Sequence, residues 1–134
     1  MKKQQGFSLV EMTIVLTIIG ILAAVALPRL KEANDAANLS ALQSQAGALT
    51  ALAGINYSLR LSLGSTAVKT AVDDTLGWIA IADCDDVSSL VLKWNPSYVI
   101  TSLALNTLGI SKNCTLTDNT TTKTAIFTAI GTKK

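Results

Sequence analysis

The apolar positions of this chain fall into three regimes. From Phe7 to Leu27 almost every residue is apolar, with Ser8, Glu11, Thr13, Thr17 and Gly20 as the interruptions. Past Pro28, Leu39, Leu42, Ala46, Leu49 and Ala53 recur at alternating spacings of 3 and 4, which is one helix face. Past Pro96 the apolar residues form short runs rich in β-branched side chains, punctuated by Asn and Asp. The first two regimes predict a helix from Phe7 to Leu63, with Gly64 as its C-cap. The third predicts strands over Tyr98–Leu103, Cys114–Thr117 and Thr124–Ala129, with Asn113, Asp118 and Asn119 in turns. Residues 65–95 read as mixed, with Asp83 or Asp85 placed to N-cap a short helix reaching Lys93. Packing the strands on the Leu39–Ala53 stripe gives an α+β fold: a long N-terminal helix, hydrophobic in its first half, on a small antiparallel sheet.

The first regime has the length of a membrane span. Its 21 residues would extend about 31 Å as a helix, close to the thickness of a bilayer's hydrocarbon core. Ser and Thr can return their hydroxyls to the preceding turn at little cost. Gly20, Ala23, Ala24 and Ala26 keep part of the surface slim enough for close helix packing. Pro28 removes one backbone bond and predicts a kink or local melting. Arg29 and Lys31 then mark a water boundary. Glu11 is the exception. An unpaired carboxylate in hydrocarbon costs several kcal/mol, so Glu11 calls for a partner. A conventional signal peptide cut after Ala24-Val25-Ala26, leaving a soluble periplasmic domain, is the competing reading. Glu11 stands where such a signal carries no acid, and the helical pattern runs on past the cut.

Composition narrows the function. A length of 134 residues bounds the chain to one modest domain. The formal charge is +2, and without Lys2 and Lys3 it is zero, so charge makes no case for nucleic acid or an anionic membrane surface. There is no His, which excludes His-based catalysis and His metal ligation. No phosphate loop or nucleophile–base pair is visible, so the chain reads as structural, not enzymatic, and without a cofactor. Asp83, Asp85 and Asp86 cluster around Cys84, but without an EF-hand pattern they read as a solvated loop and helix start, not a calcium site. Lys123, Lys133 and Lys134 read as a solvated basic tip. Four Asn-x-Ser/Thr triplets, at Asn38, Asn56, Asn113 and Asn119, are expected by chance in so Thr- and Asn-rich a chain. Cys84 and Cys114 are too far apart for a CxxC motif. They are one disulfide if the chain is exported, or two buried thiols if it is not.

Lys2-Lys3-Gln4-Gln5-Gly6 followed by Phe7-Ser8-Leu9-Val10-Glu11, then the apolar run and Pro28, resembles the class III signal of type IV prepilins and related pseudopilins. The resemblance covers about the first 35 residues. It implies a leader over 1–6, a transmembrane and filament-core helix over 7–28, and an amphipathic continuation with an α+β head over 29–134. A prepilin peptidase would cut between Gly6 and Phe7 and N-methylate Phe7. Glu11 would then pair with the Phe7 amine of a neighbouring copy and set register, while Pro28 would permit local melting during assembly. The Cys84–Cys114 pair resembles the disulfide loop of many pilins. By resemblance the chain is a pilus subunit, held in the bacterial inner membrane and then built by assembly machinery into a homopolymeric surface filament for adhesion, twitching motility or DNA uptake. A pseudopilin of a type II secretion system and a minor pilin are the neighbouring alternatives.

Overall fold

The computed structural model describes residues 6–65, 68–69 and 77–133. Lys2 and Lys3 of the expected leader, and Lys134 of the basic tip, lie outside them. The chain divides into two units, Met1–Ala37 and Asn38–Lys134. One helix, α1 (Leu9–Leu63), contributes to both. It ends where expected, at Gly64, whose φ of +74° is a left-handed conformation natural to glycine at a helix C-terminus.

Within the second unit, α1 buries Leu42, Ala46, Leu49, Ala53, Asn56 and Arg60. The predicted stripe is therefore displaced by one step. Leu39 is exposed, and two polar residues, Asn56 and Arg60, extend the buried face at the other end. Leu42, Ala46 and Leu49 share a hydrophobic core with Ile81, Val87, Leu105, Leu116 and Phe127.

The sheet is a three-stranded antiparallel meander. A parallel pair, β1 (Val68–Lys69) with β2 (Trp78–Ile79), precedes it. Strands β3 (Tyr98–Ile100), β4 (Ser111–Asp118) and β5 (Lys123–Ile130) then lie in order β3-β4-β5. Alternation sets which side faces the core. Cys114 and Leu116 of β4, and Ala125, Phe127 and Ala129 of β5, are buried. Asn113, Thr124 and Ile126, at alternate positions, are exposed. Register places Cys114 opposite Phe127 and Leu116 opposite Ala125.

Element ends differ from expectation for local reasons. The first predicted strand stops at Ile100, after which Asp83 and Ala104 form an isolated bridge. Asn113 and Asp118 lie inside β4, not in turns. Asp118 still acts as a turn residue from the strand's end: its carboxylate accepts the Thr120 N–H at 2.9 Å and the Thr121 hydroxyl at 2.8 Å. The short helix is a 3₁₀ turn, Asp85–Leu90, with Cys84 before it and no side-chain cap. The Asp83 carboxylate accepts the Asp85 N–H at the start of this turn (3.3 Å) and is shared with the Ser102 hydroxyl (2.8 Å) and the Leu103 N–H (2.9 Å).

Three connections hold this unit together across long sequence distances. Cys84 and Cys114 are disulfide-bonded, with Cα atoms 5.9 Å apart and both residues buried. The side-chain amide of Asn56 acts as a strand partner for Ile79, donating to its carbonyl (2.8 Å) and accepting its N–H (2.7 Å). Thr132, fully buried, donates to the Ile79 carbonyl and accepts the Ile81 N–H, both at 2.8 Å. The chain reaches Thr132 through Gly131, where a Cβ would collide with the backbone oxygens of Leu105 and Thr107.

This packing makes the disulfide and two carboxylates testable. The disulfide closes a sequence separation of 30, for which chain-entropy arithmetic gives roughly 3.5 kcal/mol. Replacing both cysteines by Ser should lower the melting temperature by about 10 °C or more, measured by circular dichroism; a change within about 2 °C would contradict a stabilising bridge. The second test concerns acid. The Ser102 hydroxyl, opposed by partial burial and aided by the N–H groups of Asp85, Leu103 and Cys84, holds the Asp83 carboxyl below its usual range. The Thr120 N–H and Thr121 hydroxyl do the same for Asp118. Folding lowers both pKa values, so their stabilisation is complete above the usual carboxylate range and is lost as pH falls through the native values. Melting temperature should stay level from about pH 7 to 5 and fall below about pH 4. Asp83→Ala should melt lower at neutral pH and show a shallower acid limb; an unchanged limb would remove Asp83 from the account.

Candidate functional site

The first unit buries none of its described residues. Fourteen large apolar side chains from Phe7 to Leu30 are between 49% and 81% exposed. At roughly 1.5 kcal/mol or more for each side chain removed from water, the driving force to cover them is on the order of 20 kcal/mol. That is far beyond the apolar patches monomeric soluble proteins leave open. The most apolar 18-residue window of α1 has a mean hydropathy of 2.4, so this helix is long and apolar enough to cross a membrane. The hydroxyls behave as expected. Thr13 donates to the Val10 carbonyl (2.9 Å) and Thr17 to the Thr13 carbonyl (2.7 Å), so neither needs a partner from outside the helix.

Glu11 has a partner in its own chain. The Ser8 N–H donates to Glu11 Oε2 at 2.9 Å, and the Glu11 N–H donates to Ser8 Oγ at 3.2 Å. The Met12 N–H donates to the Ser8 carbonyl, which makes Ser8 the N-cap of α1. This is a reciprocal capping box, and it satisfies two helix-end donors that a membrane could not. Glu11 therefore has a hydrogen-bond partner within its own helix start, one turn in, against the helix's positive end. Ser8 was missed as a functional residue, although its spacing to Glu11, Ser-x-x-Glu, is the sequence signature of such a box. Gly6, Phe7 and Ser8 precede the helix, which starts at Leu9, not Phe7. Pro28 lies inside α1, and the helix runs continuously through it. Local melting at Pro28 is therefore not a feature of this structure, though the Ala24 carbonyl still has no N–H to accept from that position.

The acidic residues around Cys84 do not converge on a metal site. Asp83 accepts from Ser102 and Leu103, and Asp86 accepts the N–H groups of Ala82 (2.8 Å) and Asp83 (3.0 Å). Asp86 thus serves the backbone of its own loop, and Asp83 ties that loop to Ser102 and Leu103. Among the described residues no group of three or more His, Cys, Asp or Glu side chains is placed to hold a metal.

The family-model comparison falls on the first unit. Residues 1–27 match the family model of the prokaryotic N-terminal methylation motif. The type IV narrow pilus major component PilA5 of Thermus thermophilus is 43% identical over 47 residues, which is 35% of this chain and 40% of that protein. The match thus spans less than half of either chain. No solved structure matches. A capped apolar helix carrying this motif and continuing into an α+β unit is what unites these observations: this chain carries the prokaryotic N-terminal methylation motif and is similar, over about a third of its length, to a type IV pilus component.

Proposed function

We propose that this chain is a structural subunit that polymerises through its N-terminal helix into a type IV pilus. The observation that carries the proposal is the uncovered apolar surface from Phe7 to Leu30. Lipid covers it before assembly, and the helices of other copies cover it afterwards, so the segment stays satisfied in both states. Cleavage between Gly6 and Phe7 removes Lys2 and Lys3 and creates a new amine, N-methylated, at the head of the helix. The capping box survives that cut, because Ser8 and Glu11 both remain. Glu11 Oε2 is taken by the Ser8 N–H, which leaves Oε1 for the Phe7 amine of a neighbouring copy. Together the two charges can enter an apolar bundle that neither enters alone. Pro28 gives the helix one absent backbone bond at which packing can adjust. Partners are other copies, a prepilin peptidase and the inner-membrane assembly machinery. The filament's role is adhesion, twitching motility or DNA uptake, with the C-terminal unit as the part that varies between them.

The charge pair and the cap can be separated. Glu11→Gln keeps the box geometry but removes the charge, whereas Glu11→Ala removes both. If pairing drives assembly, both variants should be cut normally after Gly6. Both should lose surface filament by about tenfold or more, the equivalent of roughly 1.4 kcal/mol, in immunoblots of sheared and total protein. Filament at normal levels in Glu11→Gln would refute the charge pair and leave Glu11 as a helix cap alone.

A further inference from the structure

The two ends of the apolar span differ in shape and in charge. At its start Phe7 and Glu11 lie together and border a shallow groove with Met12, Ile14 and Val15. At its far end Ala23 and Ala26 leave a notch, walled by Leu27 and Leu30 and rimmed by Arg29. One end offers a large aromatic knob beside an acid, and the other a small-residue hollow beside a base. All of these residues are exposed.

The spacing of the two features agrees. Glu11 and Arg29 are 18 residues apart, which at 3.6 residues per turn is five turns and about 27 Å. An interval of whole turns returns to the same face, so the acid and the base lie on one stripe. Phe7 moved by the same interval falls at Val25, between Ala23 and Ala26. A parallel copy displaced by that distance brings Glu11 to Arg29 and Phe7 to the notch in a single register. With no displacement, as when two copies lie side by side in a bilayer, like ends meet: Glu11 faces Glu11 and Arg29 faces Arg29.

We infer that Arg29 is a docking site for Glu11 of a second copy raised by about five helical turns, with Phe7 of that copy seated over Ala23 and Ala26. The inference rests on the polymer proposed above and names one of its contacts. The guanidinium fork meets the carboxylate whose Oε2 is already held by the Ser8 N–H. The other oxygen has two lone pairs, so Arg29 of one neighbour and the Phe7 amine of another can share it. Glu32, one turn past Arg29, brings the local charge to zero, with two acids against two bases. Copies at equal depth in a membrane cannot make the contact. It forms once one copy has been drawn out by nearly the thickness of the hydrocarbon core, so Glu11 leaves the bilayer into the guanidinium of a copy still held there.

The register is read by cysteine cross-linking in filaments sheared from cells. Met12 and Leu30 are exposed, border the two features, and are the same 18 residues apart. With Met12→Cys and Leu30→Cys in one chain, oxidised filaments should give a ladder of linked copies on a non-reducing gel, and each single variant should run as a monomer. A double variant that runs as a monomer from intact filaments overturns the inference and leaves the polymer standing. If wild-type cells shed no filament of this chain, the polymer fails and the inference fails with it. The charge is read separately, in chains without added cysteines. Arg29→Glu should lower surface filament by about tenfold or more, because like charges would then meet, while cleavage after Gly6 and the cellular level stay as in wild type. Lys31→Glu makes the same change of charge two residues on, on another side of the helix, and should leave filament within about twofold of wild type. Equal losses in the two variants, or no loss in Arg29→Glu, overturn the inference, because Arg29 would then only mark the water boundary.

Discussion

The structure depends on one constraint: among the described residues nothing covers the apolar surface of residues 7–30. Folding cannot resolve this, because no described residue of the first unit is buried. The segment needs an apolar environment from outside, and its sequence is tuned for one. Thr13 and Thr17 satisfy their hydroxyls on the helix backbone. Ser8 and Glu11 close the helix start on each other. What remains open is the Ala24 carbonyl opposite Pro28 and one Glu11 oxygen, so the proposed exchange of lipid for protein would leave few polar groups to satisfy. Glu11 is then less an isolated cost than a cap with one oxygen in reserve.

The second unit meets a different constraint. It is small and has few aromatic side chains, so apolar burial alone gives it a thin margin. It compensates with connections that join distant positions. The disulfide ties the start of the 3₁₀ turn to the middle of β4. Asn56 and Thr132 both grip Ile79, one from α1 and one from the chain's far end. Gly131 lets the final residues pass close enough to Leu105 and Thr107 for Thr132 to arrive. The same economy sets the Arg60 guanidinium against the face of the Trp78 ring.

Legibility in the sequence tracks how strongly each residue's chemistry speaks for a single environment. The Phe7–Leu27 run is readable because nothing but a bilayer or a helix bundle suits it. The stripe through Leu42, Ala46, Leu49 and Ala53 is readable by its period, and the Cys84–Cys114 pairing by cysteine count and the expectation of export. Asn56 and Arg60 are not, because a polar residue on a helix reads as solvent-facing until a partner across 23 residues of chain is known. Asn113 and Asp118 suggest turns, yet both lie in β4. There Asn113 accepts the Thr128 hydroxyl across the strands at 3.3 Å. The Ser8–Glu11 box is written in the sequence but overshadowed: the cost of a carboxylate in a membrane is a louder signal than its spacing to the residue that caps it.

The central claim is that residues 7–28 stay in the mature protein and hold copies together at the cell surface. Mass spectrometry of the N-terminal peptide from protein sheared off intact cells tests it directly. The account predicts an abundant, methylated peptide beginning at Phe7 in that fraction. A mature chain beginning at Leu27 would contradict it, because the helix on which the whole assembly depends would have been cut away.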